Sequence, residues 1–78
     1  MERIVLPELG EGILKATVAC WHYPVGSRVK LDEDVVELVT DKASFNVPSP
    51  VDGVIKEVYF KEGEEAAIGE TLAVVEPR

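Results

Sequence analysis

Val39-Thr40-Asp41-Lys42-Ala43-Ser44-Phe45-Asn46-Val47-Pro48-Ser49-Pro50 sets two short apolar runs on either side of a polar step. Val35 to Val39 and Ala43 to Val47 read as strand ends, and Thr40-Asp41-Lys42 between them reads as a hairpin turn that Asp41 is placed to start. Pro48 and Pro50 then close the second run, since neither can donate to a central ladder. This puts Lys42 at a hairpin tip. A lysine there has no neighbours to bury its stem, so its amine stands in water, within reach of an acylating enzyme. A solvated turn lysine is the plain alternative.

Upstream, Glu2 to Leu6 is a first strand stopped by Pro7, and Pro7 to Gly12, with two glycines and a proline, is a loop. A second strand runs from Ile13 to Trp21 and breaks at Tyr23 to Ser27. Val29 and Leu31 are apolar on alternate positions before the polar corner Asp32-Glu33-Asp34. Downstream, Asp52-Gly53 signals a turn, Val54 to Phe60 a strand, Gly63 and Gly69 breaks, and Thr71 to Val75 the last strand before Pro77. No segment repeats apolar residues at helical spacing. The expected fold is all-β, a flattened barrel or sandwich of two four-stranded antiparallel sheets.

The chain also looks like two similar halves. Gly12-Ile13-Leu14-Lys15 aligns with Gly53-Val54-Ile55-Lys56 at an offset of 41, and Gly26, Val29, Leu31, Glu33 and Val35 align with Gly63, Ala66, Ile68, Glu70 and Leu72 at an offset of 37. The change of four places extra residues around Trp21 to Val25. A pseudo-twofold follows, with the lysine hairpin and the termini at opposite ends.

Seventy-eight residues make one domain, 1–78, with a thin core and little room for a deep pocket. A net charge of -7 argues against nucleic acid or an anionic membrane as partner, because phosphate binding needs clustered cations. No stretch has the length of a transmembrane helix, and the start has no signal-peptide core. Lone Cys20 cannot form an internal disulfide; it reads as a small buried hydrophobe in alternation with Val18. The default location is intracellular: bacterial or archaeal cytoplasm, or the mitochondrial matrix.

Nothing in the chain reads as a catalytic centre. Cys20 and His22 share a strand face, but the sequence offers no third group beside them, neither for nucleophilic catalysis nor for a metal. Gly10-Glu11-Gly12 precedes a strand and carries an acid, unlike a phosphate loop. A carrier, by contrast, needs one exposed nucleophile on a rigid platform, which Lys42 supplies.

With these features, the chain resembles the lipoyl domain of the acyltransferase component of 2-oxo acid dehydrogenase complexes. Leu6 to Gly12 is similar to the family's opening motif, Thr40-Asp41-Lys42-Ala43 to its lipoylation motif, and Val47 to Pro50 with Asp52-Gly53 to the segment that follows. The resemblance implies lipoate in amide linkage on Lys42, with Asp41 and Ala43 helping the lipoylating enzyme position the lysine. It also implies that the loop Glu8-Leu9-Gly10-Glu11-Gly12, together with Thr40, contributes to recognition by a thiamine-dependent 2-oxo acid decarboxylase. The dithiolane would be acylated there, pass the acyl group to coenzyme A at the acyltransferase core, and be reoxidised by a flavin-containing dihydrolipoamide dehydrogenase. The isolated domain would be monomeric and have no active site of its own; any parent polypeptide would be a dihydrolipoamide acyltransferase. Val39 and Asn46 stand where the family often carries acids. Trp21 and Asp52 to Lys56 lean towards the pyruvate or branched-chain type. A biotinyl carrier has methionines flanking its lysine, whereas Lys42 lies between Asp41 and Ala43. The remaining alternative is an unmodified β-sandwich adaptor.

Overall fold

The glycines and prolines that punctuate the sequence separate eight short strands in a computed structural model that describes residues 1–78. They are β1 (Glu2–Val5), β2 (Lys15–Trp21), β3 (Arg28–Val29), β4 (Asp34–Val39), β5 (Ser44–Pro48), β6 (Gly53–Val58), β7 (Glu65–Ala67) and β8 (Thr71–Pro77). One sheet has the order β1-β8-β6-β3 and the other β5-β4-β2-β7, with every pair antiparallel. The all-β expectation holds. β7 leaves no signal in the sequence, because three residues between two glycine breaks are too few to show alternation. Pro48 is tolerated inside β5 because β5 is an edge strand.

Exchanging β1 with β5, β2 with β6, β3 with β7 and β4 with β8 turns one sheet order into the other. The pairings repeat in detail: Thr17↔Glu65 answers Val54↔Arg28, and Val36↔Val47 answers Ala73↔Ile4. Bulges repeat as well, at Ala19 and Lys56 and at Val35 and Leu72. All 16 buried residues fall into symmetric pairs, such as Val18 with Ile55, Leu38 with Val75 and Ile4 with Val47. Each sheet thus contributes the same inward face to one shared core.

This symmetry corrects the repeat read from the sequence. From β2 to the end of β4 the offset is 37 throughout, so Gly53 matches Ala16, and the Gly12 to Lys15 match at 41 is coincidental. The extra residues of the first half do not lie around Trp21 to Val25. Nine residues separate Leu6 from Ala16 but only three separate their counterparts Ser49 and Gly53, so the insertion is the loop after β1. Gly53 is required sterically, since a Cβ there would overlap the Glu76 carbonyl on β8.

Two side chains depart from the expected alternation. Leu31 is 55% exposed, beyond the two-residue β3. Cys20 is half-buried on the outer face instead of packed beside Val18. The bulge at Ala19 slips the register by one residue, which turns Cys20 and His22 outward and Trp21 and Tyr23 towards the core.

Candidate functional site

β4 and β5 end at the pair Val39↔Ser44, leaving Thr40 to Ala43 as the tip. Thr40 organises it. Its amide donates to the Ala43 carbonyl at 2.9 Å. Its hydroxyl oxygen accepts from the amides of Lys42 and Ala43, both at 3.2 Å, and its proton reaches the Ala43 carbonyl at 3.1 Å. The hydroxyl therefore plays the part expected of Asp41, whose carboxylate is left in solvent; both residue types close such turns, and sequence alone does not choose between them. Lys42 is exposed and makes no ion pair. Its amine is an unencumbered nucleophile at the end of a fixed backbone.

Beside this tip lies a cleft of about 410 Å³, bounded by Gly12 to Thr17 on one side and Val39 to Lys42 on the other, with Glu65 at its rim. The insertion after β1 supplies the first wall. Its left-handed turn at Gly12 (φ 82°) carries the chain into the cleft wall, and Ile13 closes it with a 3.2 Å bond to the Gly10 carbonyl. Lys15 pairs with Glu65 at 3.2 Å, an exposed contact that positions the rim but adds little stability.

Of the residues expected at the site, Gly12, Thr40, Asp41 and Lys42 line this cleft, and Ala43 completes the turn. Glu8, Leu9, Gly10 and Glu11 do not line it; Leu9 packs instead against the core cluster. Leu14, expected inside the second strand, lines the cleft while 77% exposed. An apolar side chain preceding a strand looks like core in a sequence, and only the start of β2 at Lys15, two residues later than expected, puts it outside.

The structure also supplies the third group that Cys20 and His22 lacked. Glu37 on β4 stands opposite Cys20, with its Oε1 3.8 Å from the thiol, and His22 Nδ1 lies 4.0 Å from the same sulfur. Partial burial, then the charges of Glu37 and Glu62, raise the Cys20 thiol above its ordinary pKa.

Residues 2–75 match the biotin/lipoyl family profile, described as "Biotin-requiring enzyme". The dihydrolipoyllysine-residue succinyltransferase component of the 2-oxoglutarate dehydrogenase complex of Bartonella vinsonii subsp. berkhoffii is 44% identical over 73 residues, covering 94% of this chain and 18% of that protein. The acetyltransferase component of the pyruvate dehydrogenase complex of Acholeplasma laidlawii is 42% identical over 69 residues, covering 88% of this chain and 13% of its own length. The chain thus spans less than a fifth of these relatives. Of eight such relatives six are of the 2-oxoglutarate type and two of the pyruvate type, so on balance they weigh against the lean towards pyruvate or branched-chain complexes. The solved lipoyl domain of the 2-oxoglutarate dehydrogenase complex of Azotobacter vinelandii superposes with a TM-score of 0.79 at 38% identity, covering 97% of this chain and 96% of that one. Two matched sheets, a lysine held at the tip of the β4–β5 hairpin, and likeness along nearly the full length of a solved lipoyl domain agree: the chain belongs to the biotinyl/lipoyl family and is a lipoyl domain.

Proposed function

We propose that Lys42 is the attachment lysine and that the domain is the swinging-arm carrier of a 2-oxo acid dehydrogenase complex, within a parent acyltransferase. The observation that carries this is the lone, unpaired lysine at a tip whose backbone Thr40 fixes, in a domain of lipoyl type. The fit to lipoate is chemical: an amide forms between its carboxyl group and Nζ with loss of water, and needs an amine that is exposed and unpaired. When bound, the dithiolane supplies a site that takes up an acyl group with two electrons and later gives up both.

The protein's own part is placement. The β4–β5 hairpin fixes the root of the arm, while Lys42 gives it length and free rotation. The C-terminus lies at the other end: Arg78 bonds Asp52, which bonds Leu31 just before β4 begins. Lys42 follows the end of that strand, so about 17 Å of extended chain separates root from exit. The arm therefore points away from the end of the domain where Arg78 lies. The partners are the decarboxylase, the acyltransferase core, dihydrolipoamide dehydrogenase and the lipoylating enzyme. The relatives favour 2-oxoglutarate as the acid. Incubating the lipoylated domain with a 2-oxoglutarate or a pyruvate decarboxylase, each with its acid, tests this by intact mass. The expected result is one succinyl group from the first and little acetyl from the second, with none in Lys42→Arg; acyl loading of Lys42→Arg would overturn the carrier reading.

A further inference from the structure

A second cluster of reactive side chains lies on the outer face of the same hairpin, at the middle of its ladder. Cys20, Glu37 and Asn46 stand in one row across the adjacent strands β2, β4 and β5, and His22 follows Cys20 on the same face. The sulfur, one imidazole nitrogen and one carboxylate oxygen all lie within 4.8 Å of one another. We propose that Cys20, His22 and Glu37 bind a zinc(II) ion, with a water at the fourth position and Asn46 orienting the histidine.

Tetrahedral zinc, at about 2.3 Å from sulfur and 2.0–2.1 Å from nitrogen or oxygen, sets its ligand atoms about 3.5 Å apart. The observed separations from the sulfur, 4.0 Å to His22 Nδ1 and 3.8 Å to Glu37 Oε1, close to that value with side-chain shifts of under about an ångström. Asn46 Oδ1 accepts from His22 Nε2 at 2.9 Å. That bond keeps the proton on Nε2 and leaves the Nδ1 lone pair facing the thiol, the arrangement by which an outer partner fixes the tautomer of a ligating histidine. The Cys20 proton, donated to Glu37 Oε1 in the metal-free protein, passes to solvent when the thiolate binds. Glu62, whose charge acts on Cys20, adds to the negative field that draws a cation.

Symmetry gives a reason to treat the cluster as more than a by-product of the fold. At the equivalent positions of the other sheet stand Glu57, Tyr59, Val74 and Arg3, which hold no ligand set. The backbone beneath is also firm. Trp21, the last residue of β2 and between the two ligands in sequence, packs against the core and donates Nε1–H to the Phe60 carbonyl at 2.8 Å. A metal here would brace β2, β4 and β5 together, including the two strands that carry Lys42.

The test uses the unlipoylated 78-residue domain with its thiol reduced, so that no dihydrolipoyl sulfur competes; it is therefore independent of the carrier reading. Calorimetric titration with zinc is expected to show one ion per chain, release of about one proton at neutral pH, and a higher Tm with metal. Cobalt(II) is expected to give a thiolate-to-metal charge-transfer band. Cys20→Ser should abolish that band, and Asn46→Ala should weaken binding about tenfold or more through loss of histidine orientation. All these side chains face outward, so the variants keep the core, which Tm without metal verifies. Absence of saturable zinc binding, or binding of equal strength in Cys20→Ser, would overturn the proposal.

Discussion

Thr40 carries the lysine turn through one hydroxyl that both accepts and donates. Replacing it with the near-isosteric valine removes those bonds while keeping the β-branched shape. Because the turn is exposed and water can replace part of the loss, Thr40→Val is expected to cost about 1 kcal/mol in urea denaturation. Lipoylation should slow while Lys42 remains, and Thr40→Ser, which keeps the hydroxyl, should restore most of the rate. Equal initial rates for Thr40→Val and the parent would show that the turn needs no hydroxyl to present the lysine. At this scale the sequence was informative about which residue stands at the tip and less so about what holds it. A tip lysine between two strand ends is a local pattern, whereas the choice of Thr40 over Asp41 depends on the backbone torsions of the turn.

Elements show where close packing and length decide. Gly53 starts β6 against the Glu76 carbonyl, and its counterpart in the other sheet is Ala16, so only one of the two positions demands glycine. Gly53→Ala is therefore expected to destabilise by about 2–4 kcal/mol through displacement of β8, whereas Ala16→Gly costs about 1 kcal/mol by entropy and lost packing. Thermal unfolding of the two variants distinguishes them, and similar Tm losses would contradict the steric account. The loop after β1 is the other decisive element. Replacing Pro7 to Lys15 with the three residues Pro50-Val51-Asp52 that serve its symmetric counterpart should leave the strands paired and remove one wall of the cleft. Lipoylation should persist, since the turn is untouched, while loading by the decarboxylase falls at least tenfold; unchanged loading would remove this loop from partner recognition. Strand positions were legible from the spacing of glycine and proline. The bulge at Ala19 was not, because a one-residue slip leaves no mark in composition yet reverses the faces of Cys20 and Trp21.

For the molecule as a whole, the pseudo-twofold explains how a thin core can hold an exposed arm steady. Eight pairs of equivalent residues from two sheets fill one interior, with Leu38 and Val75 or Val18 and Ile55 in matching roles. The repeat was visible in the glycines and the Glu33 and Glu70 positions because those residues do the same backbone work in each half: Glu33 accepts from the Lys30 amide at 2.8 Å and Glu70 from the Ala67 amide at 2.7 Å. The place of the insertion was not visible, since a chance match of Gly12 to Lys15 with Gly53 to Lys56 concealed it. One consequence of the symmetry is functional. The positions equivalent to Val39 and Thr40 are Glu76 and Pro77, at the far end of the domain, so Lys42 stands at the opposite tip from them. The most direct measurement is peptide mapping by mass spectrometry after the unmodified domain is incubated with lipoate, ATP and a lipoylating enzyme. One lipoyl group on Lys42, with Lys15, Lys30, Lys56 and Lys61 unmodified and no uptake by Lys42→Arg, is the predicted result; a lipoyl group on any other lysine, or an unmodified chain where a known acceptor is lipoylated, would contradict it.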